Sequence, residues 1–154
     1  QRPKTRQKIR LGILSHHFSP QTETYSTLPV FEYLDPTQFE VILYALQSNH
    51  HPLEEYCKSR AYRWVELPKN LPEQVKLIRN DDLDIVLIGT NVTAVTNGIT
   101  LLALHRLGRI QITSTSSCVT TGMRTIDYYI SGTLTEIKQN PQDQYREQLL
   151  LLEG

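Results

Sequence analysis

Cysteine, methionine and tryptophan are scarce in this chain of 154 residues, with two Cys, one Met and one Trp. Cys57 and Cys118 stand in separate segments without metal-ligand spacing, which argues against a zinc module or a disulfide scaffold and for free thiols in a reducing compartment. Surplus charge is missing too. The 16 Lys plus Arg balance 16 Asp plus Glu, so the formal net charge is zero and nothing favours nucleic acid or anionic lipid as a partner. No apolar run nears the roughly 18 residues that span a bilayer, and the basic start is not followed by a hydrophobic segment. No membrane partner is read from this, and the expected location is cytoplasmic. The seven glycines form neither a Gly-x-Gly-x-x-Gly nor a Walker loop.

What is present is the composition of a soluble globular domain, 39% apolar and 21% charged, at a length that one domain fills. Residues 1–8 alternate basic and polar side chains and read as a solvated lead-in from an upstream region, leaving 9–154 as a single domain. Apolar runs predict strands at about 9–15, 39–46, 62–67, 84–89, 109–114 and 126–131, and the continuous run at 84–89 has the pattern of a central parallel strand. Between them lie helical periods. Tyr25, Leu28 and Phe31 form the expected core stripe of a first helix that starts late or kinks because of Pro29. A helix or turn is read over 52–61, a capped helix opens at Asn70, and a further helix opens at Asn97 and ends at Gly108. A short helix is placed near 143–147, followed by a last apolar run at Leu149 to Leu152. This alternation predicts an α/β domain of three layers, Rossmann-like, with a mostly parallel sheet.

The chain is organised around residues 109–131. Two apolar runs there flank a loop in which seven of the nine residues from Thr113 to Thr121 carry hydroxyls, closed by Gly122. On composition alone such a loop is either a ligand cradle or a solvated connection. Ile110-Gln111, Thr120-Thr121-Gly122 and Ile126-Asp127-Tyr128 resemble the corresponding strand, loop and strand of the SPINDLY and O-linked N-acetylglucosamine transferases, glycosyltransferase family 41. Ser116, Ser117 and Cys118 stand where that family usually has Gly-Tyr-Pro. The resemblance extends to the runs beginning at Arg10, Phe39, Asp84 and Tyr145, and so covers about half of such a catalytic region. It implies the first lobe of a GT-B type enzyme, inverting and metal-free, that takes a nucleotide sugar as donor and a protein Ser or Thr as acceptor, usually with tetratricopeptide repeats upstream. The alternative is a binding or scaffold lobe without catalysis.

Open parallel sheets bind ligands beyond the carboxyl ends of their strands. The loops at 15–23, 89–97 and 114–122 qualify, and they hold histidines, hydroxyls, amides and glycines but no Lys or Arg. A diphosphate leaving group calls for cations, helix N-termini or a metal, so the grip on the donor is expected in a second lobe and the chain alone is expected to be inactive. The resemblance aligns Gln21 with a family histidine on the acceptor side, Tyr25 with a later His or Tyr, and His17 with a common Asp. Gln21, His16 and His17 are therefore the catalytic candidates, and Tyr25, Ser116, Ser117, Thr120, Thr121 and Gly122 the substrate-binding ones. His16 and His17, adjacent on an extended segment, would face opposite sides, and with His50-His51 they read as solvated or capping histidines rather than metal ligands. No metal and no cofactor is expected.

Overall fold

The structure, a computed structural model, describes residues 6–136 and 139–153. In chain order the elements are β1 (Ile9–Ser15), α1 (Thr22–Glu32), β2 (Phe39–Ala45), α2 (Pro52–Arg60), β3 (Arg63–Glu66), α3 (Leu71–Asn80), β4 (Leu83–Ile88), α4 (Gly98–Ala103), β5 (Gly108–Ser114), β6 (Tyr128–Gly132), a 3-10 turn (Pro141–Gln144) and β7 (Gln148–Leu152). The strands form one sheet in the order β3-β2-β1-β4-β5-β6-β7. Every pairing is parallel. The expected α/β architecture is thus the one observed, with β4 in the middle of the sheet and a seventh strand built from the terminal leucines.

Parallel strands bury both faces, and each face here has its own core. Leu14, Val86 and Ile88 pack with Val75 and Ile78 of α3 and Ile99 of α4 on one side. Ile13, Leu43 and Leu87 pack with Phe18, Phe31 of α1 and Cys57 of α2 on the other. A fully buried aliphatic side chain of this kind contributes about 1.5–3 kcal/mol. Past α1 the second face is less covered: a cavity of about 470 Å³ is lined by Val30, Leu87, Ile112, Ile130 and Leu152.

Helix starts follow their caps. His51 Nδ1 accepts from Leu53 N at 3.0 Å to open α2, and Asn70 Oδ1 accepts from Glu73 N at 3.4 Å to open α3. At α4 the exchange is reciprocal: Asn97 Oδ1 accepts from Thr100 N at 3.0 Å and Thr100 Oγ1 accepts from Asn97 N at 3.1 Å.

Several expectations need correction. The first helix does not start late: it opens at Thr22 and continues through Pro29 to Glu32, with Thr27 Oγ1 donating to Glu23 O at 2.9 Å in the preceding turn. Its buried stripe is Thr24, Thr27 and Phe31, while Tyr25 is 56% exposed. The reason is close packing: a Cβ on Gly89 would lie 3.1 Å from Thr27 Cγ2, so small side chains, not Tyr25, face the sheet. The helix from Asn97 ends at Ala103, and Gly108 opens β5 instead of closing the helix. The short helix near 143–147 is the 3-10 turn at Pro141–Gln144, and Glu147 beyond it is 1% exposed. Arg6 is not solvated; its guanidinium lies 2.9 Å from Asp82 Oδ2 and 2.6 Å from Asp84 Oδ1. The preceding residues of the lead-in, 1–5, lie outside the described residues.

The two sheet edges differ. β3 is four residues long and carries Arg63 and Glu66, whereas β7 presents Leu149 to Leu152. Its outer backbone is met by a side chain: Gln142 Oε1 accepts from Leu149 N and Gln142 Nε2 donates to Glu147 O, both at 2.8 Å.

Candidate functional site

Strand order reverses between β1 and β4, because the connection after β1 leads toward β2 and the connection after β4 leads toward β5. In open parallel sheets the carboxyl ends on either side of such a reversal are where ligands bind. The three loops singled out in the sequence meet there. Gly89 N donates to Leu14 O at 2.8 Å and His16 N to Thr90 Oγ1 at 2.9 Å, joining the loops after β1 and β4. Val92 N donates to Ser117 Oγ at 3.4 Å, and Asn91 Nδ2 contacts Cys118 Sγ at 3.6 Å, joining the loops after β4 and β5.

The loop after β1 is pinned by Phe18, which is fully buried against Trp64 with ring centroids 5.3 Å apart. Around that anchor the polar groups converge on one residue. Ser15 Oγ and Gln21 Nε2 each donate to His17 O at 3.0 Å, and Ser19 Oγ lies 2.5 Å from His17 Nδ1. His16 bends rather than continuing the strand, so the two imidazoles do not face opposite sides; they meet edge-on at 5.3 Å. Partial burial, followed by the neighbouring His16, holds the His17 imidazolium below its ordinary pKa, so the ring is neutral near pH 7.

The hydroxyl loop is divided between interior and rim. Ser116 and Ser117 are buried, at 8% and 0% exposure. Ser117 Oγ also accepts from Thr113 Oγ1 at 3.3 Å, and Ser117 O accepts from the Tyr129 hydroxyl. Burial raises the Tyr129 phenol to about 12, so it stays a donor. Thr120 and Thr121 are turned onto Glu147. Thr120 Oγ1 donates to Oε2 at 2.6 Å and Thr121 N to Oε1 at 2.8 Å, with the Thr121 hydroxyl joining the same oxygen. Burial alone would raise the Glu147 carboxyl, but the Thr120 and Thr121 donors outweigh it and hold the group below its usual value. Glu147 was not a candidate in the sequence, where it is one acid ahead of a leucine run with nothing in its spacing to link it to Thr121. Gly122 is exposed at φ +66, a left-handed conformation that favours glycine, and a Cβ there would meet nothing within 4 Å.

On these loops His16, His17, Ser19, Gln21 and Asn91 are half-buried and Cys118 is exposed. Tyr25 lies one turn into α1 on an exposed face. The loops offer uncharged donors and acceptors together with two imidazoles, of which that of His17 is held neutral. Arg6, Arg10 and Arg109 lie at the other end of the sheet, where Arg6 and Arg109 pair with Asp82 and Arg10 with Glu40. Among the described residues, three ligand-type side chains gather only at His50, Glu54 and Glu55, and there Lys58 Nζ already sits 2.8 Å from Glu54 Oε1. Burial would raise the Glu54 carboxyl, yet Lys58, the Ser48 hydroxyl and Asn49 N together hold it at about 2.

No protein-family model matches this chain, and no curated protein matches it in sequence. Solved structures do resemble it in fold. A mutant of the Thermobaculum terrenum O-GlcNAc transferase shares 24% identity and superposes over 95% of this chain with a TM-score of 0.84. The chain spans 28% of that protein's length.

Proposed function

We propose that this chain is the acceptor-side lobe of a glycosyltransferase that moves a hexosyl or N-acetylglucosaminyl group from a nucleotide sugar to a Ser or Thr hydroxyl of a protein. As in the resembling family, transfer would proceed with inversion and without a metal, in a cytoplasmic protein with tetratricopeptide repeats upstream. The observation that carries the reading is the loop cluster: three cation-free loops knitted together at the reversal of strand order, in a fold like that of an O-GlcNAc transferase. Uncharged donors and acceptors suit a hydroxyl-bearing acceptor. A departing diphosphate needs positive charge, and the three loops carry no Lys or Arg, so a second lobe would supply that grip.

Within this reading, Gln21 orients the loop and the acceptor, His16 and His17 border the reacting hydroxyl, and Tyr25 lies on an exposed face of α1 where a bound polypeptide could reach it. Ser116, Ser117, Thr120 and Thr121 shape the wall through their internal bonds, and Gly122 keeps the rim open. The test is turnover by the intact protein that carries this chain, with uridine- and guanosine-diphosphate sugars and Ser/Thr peptides. Transfer from either donor supports the reading. The commitment of the Gln21 amide to His17 O and of both threonine hydroxyls to Glu147 favours a second one, a scaffold lobe without catalysis, and no transfer from any donor would select it.

A further inference from the structure

We propose that His17 is the proton acceptor of this crevice, held by Ser15, Ser19 and Gln21 in the tautomer that carries its proton on Nδ1 and leaves Nε2 bare for an acceptor hydroxyl. The proposal rests on the transferase reading above and names the group within it that handles the proton. Three neighbouring polar side chains are committed to this residue. Ser15, buried at 1% exposure, and Gln21 fill both acceptor positions of the His17 carbonyl, which fixes the backbone. Ser19 Oγ lies 2.5 Å from Nδ1, which orients the ring; either atom can donate in that contact, and the proposal assigns the proton to Nδ1. Among the described residues no hydrogen-bond partner meets Nε2. Gln21 has no lone pair basic enough to take a proton, and its amide is already engaged, so it acts as a positioning residue.

In the step itself, the acceptor oxygen forms its bond to the anomeric carbon with one lone pair. The bond from that carbon to the diphosphate oxygen breaks, and its electron pair leaves on the nucleoside diphosphate. The hydroxyl proton passes to Nε2, and the imidazolium so formed keeps its Nδ1–H on Ser19 Oγ, an arrangement in which a second group orients the base. The charged groups around the ring act in opposing directions: His16 from the same loop disfavours the imidazolium, while Glu23 of α1 and Glu54 of α2 favour it. Partial burial comes before all three. The ring is therefore unprotonated at neutral pH, as a base must be.

Two experiments separate this proposal from the reading it rests on. The first needs no activity: long-range nitrogen–carbon NMR on the chain labelled with nitrogen-15 histidine. The Nδ1–H tautomer is expected for His17, with a shift toward Nε2–H in Ser19→Ala and recovery in Ser19→Thr. A His17 that is Nε2–H in the unsubstituted chain overturns the proposal. The second is the pH profile of kcat/KM in the intact protein. His17→Asn should lower kcat/KM by about a hundredfold or more and remove the acid limb, whereas His16→Asn should move that limb to higher pH. Ser19→Ala should change the position of the limb, and Ser19→Thr should restore it. An unchanged profile in His17→Asn with an active parent overturns the proposal while leaving the transferase reading intact. An inactive parent whose His17 keeps the Nδ1–H tautomer removes the transferase reading and the catalytic use of His17 with it.

Discussion

Replacing Glu147 by Gln tests whether the hydroxyl loop is held from below by a buried carboxylate. In the native protein Oε1 and Oε2 accept from Thr120 Oγ1, Thr121 N and the Thr121 hydroxyl, and Thr120 Oγ1 itself accepts from Arg146 N at 3.1 Å and from Gly122 N at 3.3 Å. Glutamine preserves the shape but puts an NH₂ where Oε2 was. That group faces a Thr120 oxygen already taking two donors, and the Thr120 proton loses its acceptor. Losing one charge-assisted bond and stranding a donor costs about 2–3 kcal/mol. The carboxyl also makes stability depend on pH. Its folded pKa lies below its unfolded value of 4.5, so its contribution is complete above pH 4.5 and is lost as pH falls through the lower folded value. Urea unfolding of wild type and Glu147→Gln at pH 7 and at pH 4 should show the gap narrowing at the lower pH. Amide exchange at Thr121 should quicken in the variant at pH 7. A midpoint at pH 7 within about 0.5 kcal/mol of wild type, with Thr121 exchange unchanged, would refute the argument.

Gly108→Ala places a Cβ 2.7 Å from Val86 Cγ2 and 3.2 Å from Leu83 O, in a packed layer with backbone on one side, so a loss of about 1–3 kcal/mol by chemical denaturation is expected. Gly122→Ala meets open space and is charged only for the left-handed backbone, about 1 kcal/mol; a larger loss would mean that the loop is more crowded than its geometry indicates. Asn97→Ala removes the acceptor of Ile99 N and Thr100 N at the start of α4 and should cost about 1 kcal/mol, checked by the thermal midpoint. Titration calorimetry of the isolated chain with a uridine- or guanosine-diphosphate sugar should give no micromolar binding, about 8 kcal/mol, because its crevice loops carry no cation.

Periodicity made the fold readable where a run was both apolar and bounded. The stretch at 84–89 is the middle strand because Ile85 to Ile88 are apolar without a break, and Asn70 and Asn97 mark real helix starts because a cap is a local interaction. β7 was harder to see: four leucines in a row have neither helical nor strand period, and their conformation is set by pairing with β6. Tyr25 was assigned to the core on spacing, yet which stripe of α1 faces inward depends on Gly89, distant in sequence, making room for Thr27. The same limit applies to the site. Its three loops were legible because strand ends and their composition are local. The engagement of Gln21 with His17, of Thr121 with Glu147 and of Tyr129 with Ser117 came only with the fold.

The Gln142 side chain at the rim of β7 acts as a surrogate for one peptide unit of a further strand. It offers an acceptor to Leu149 N and a donor to Glu147 O, the two groups that an incoming chain would meet first on that edge. Beyond it stand Leu150, Leu151 and Leu152, at 39%, 41% and 61% exposure. An uncharged leucine edge is a template for intermolecular growth, and here the starting position for such growth is occupied by a tethered competitor. The turn at Pro141–Gln144 therefore guards colloidal behaviour as well as joining two strands. In Gln142→Ala the cost should appear less in unfolding than in concentration-dependent self-association, with light scattering rising while the monomer's denaturation midpoint changes little.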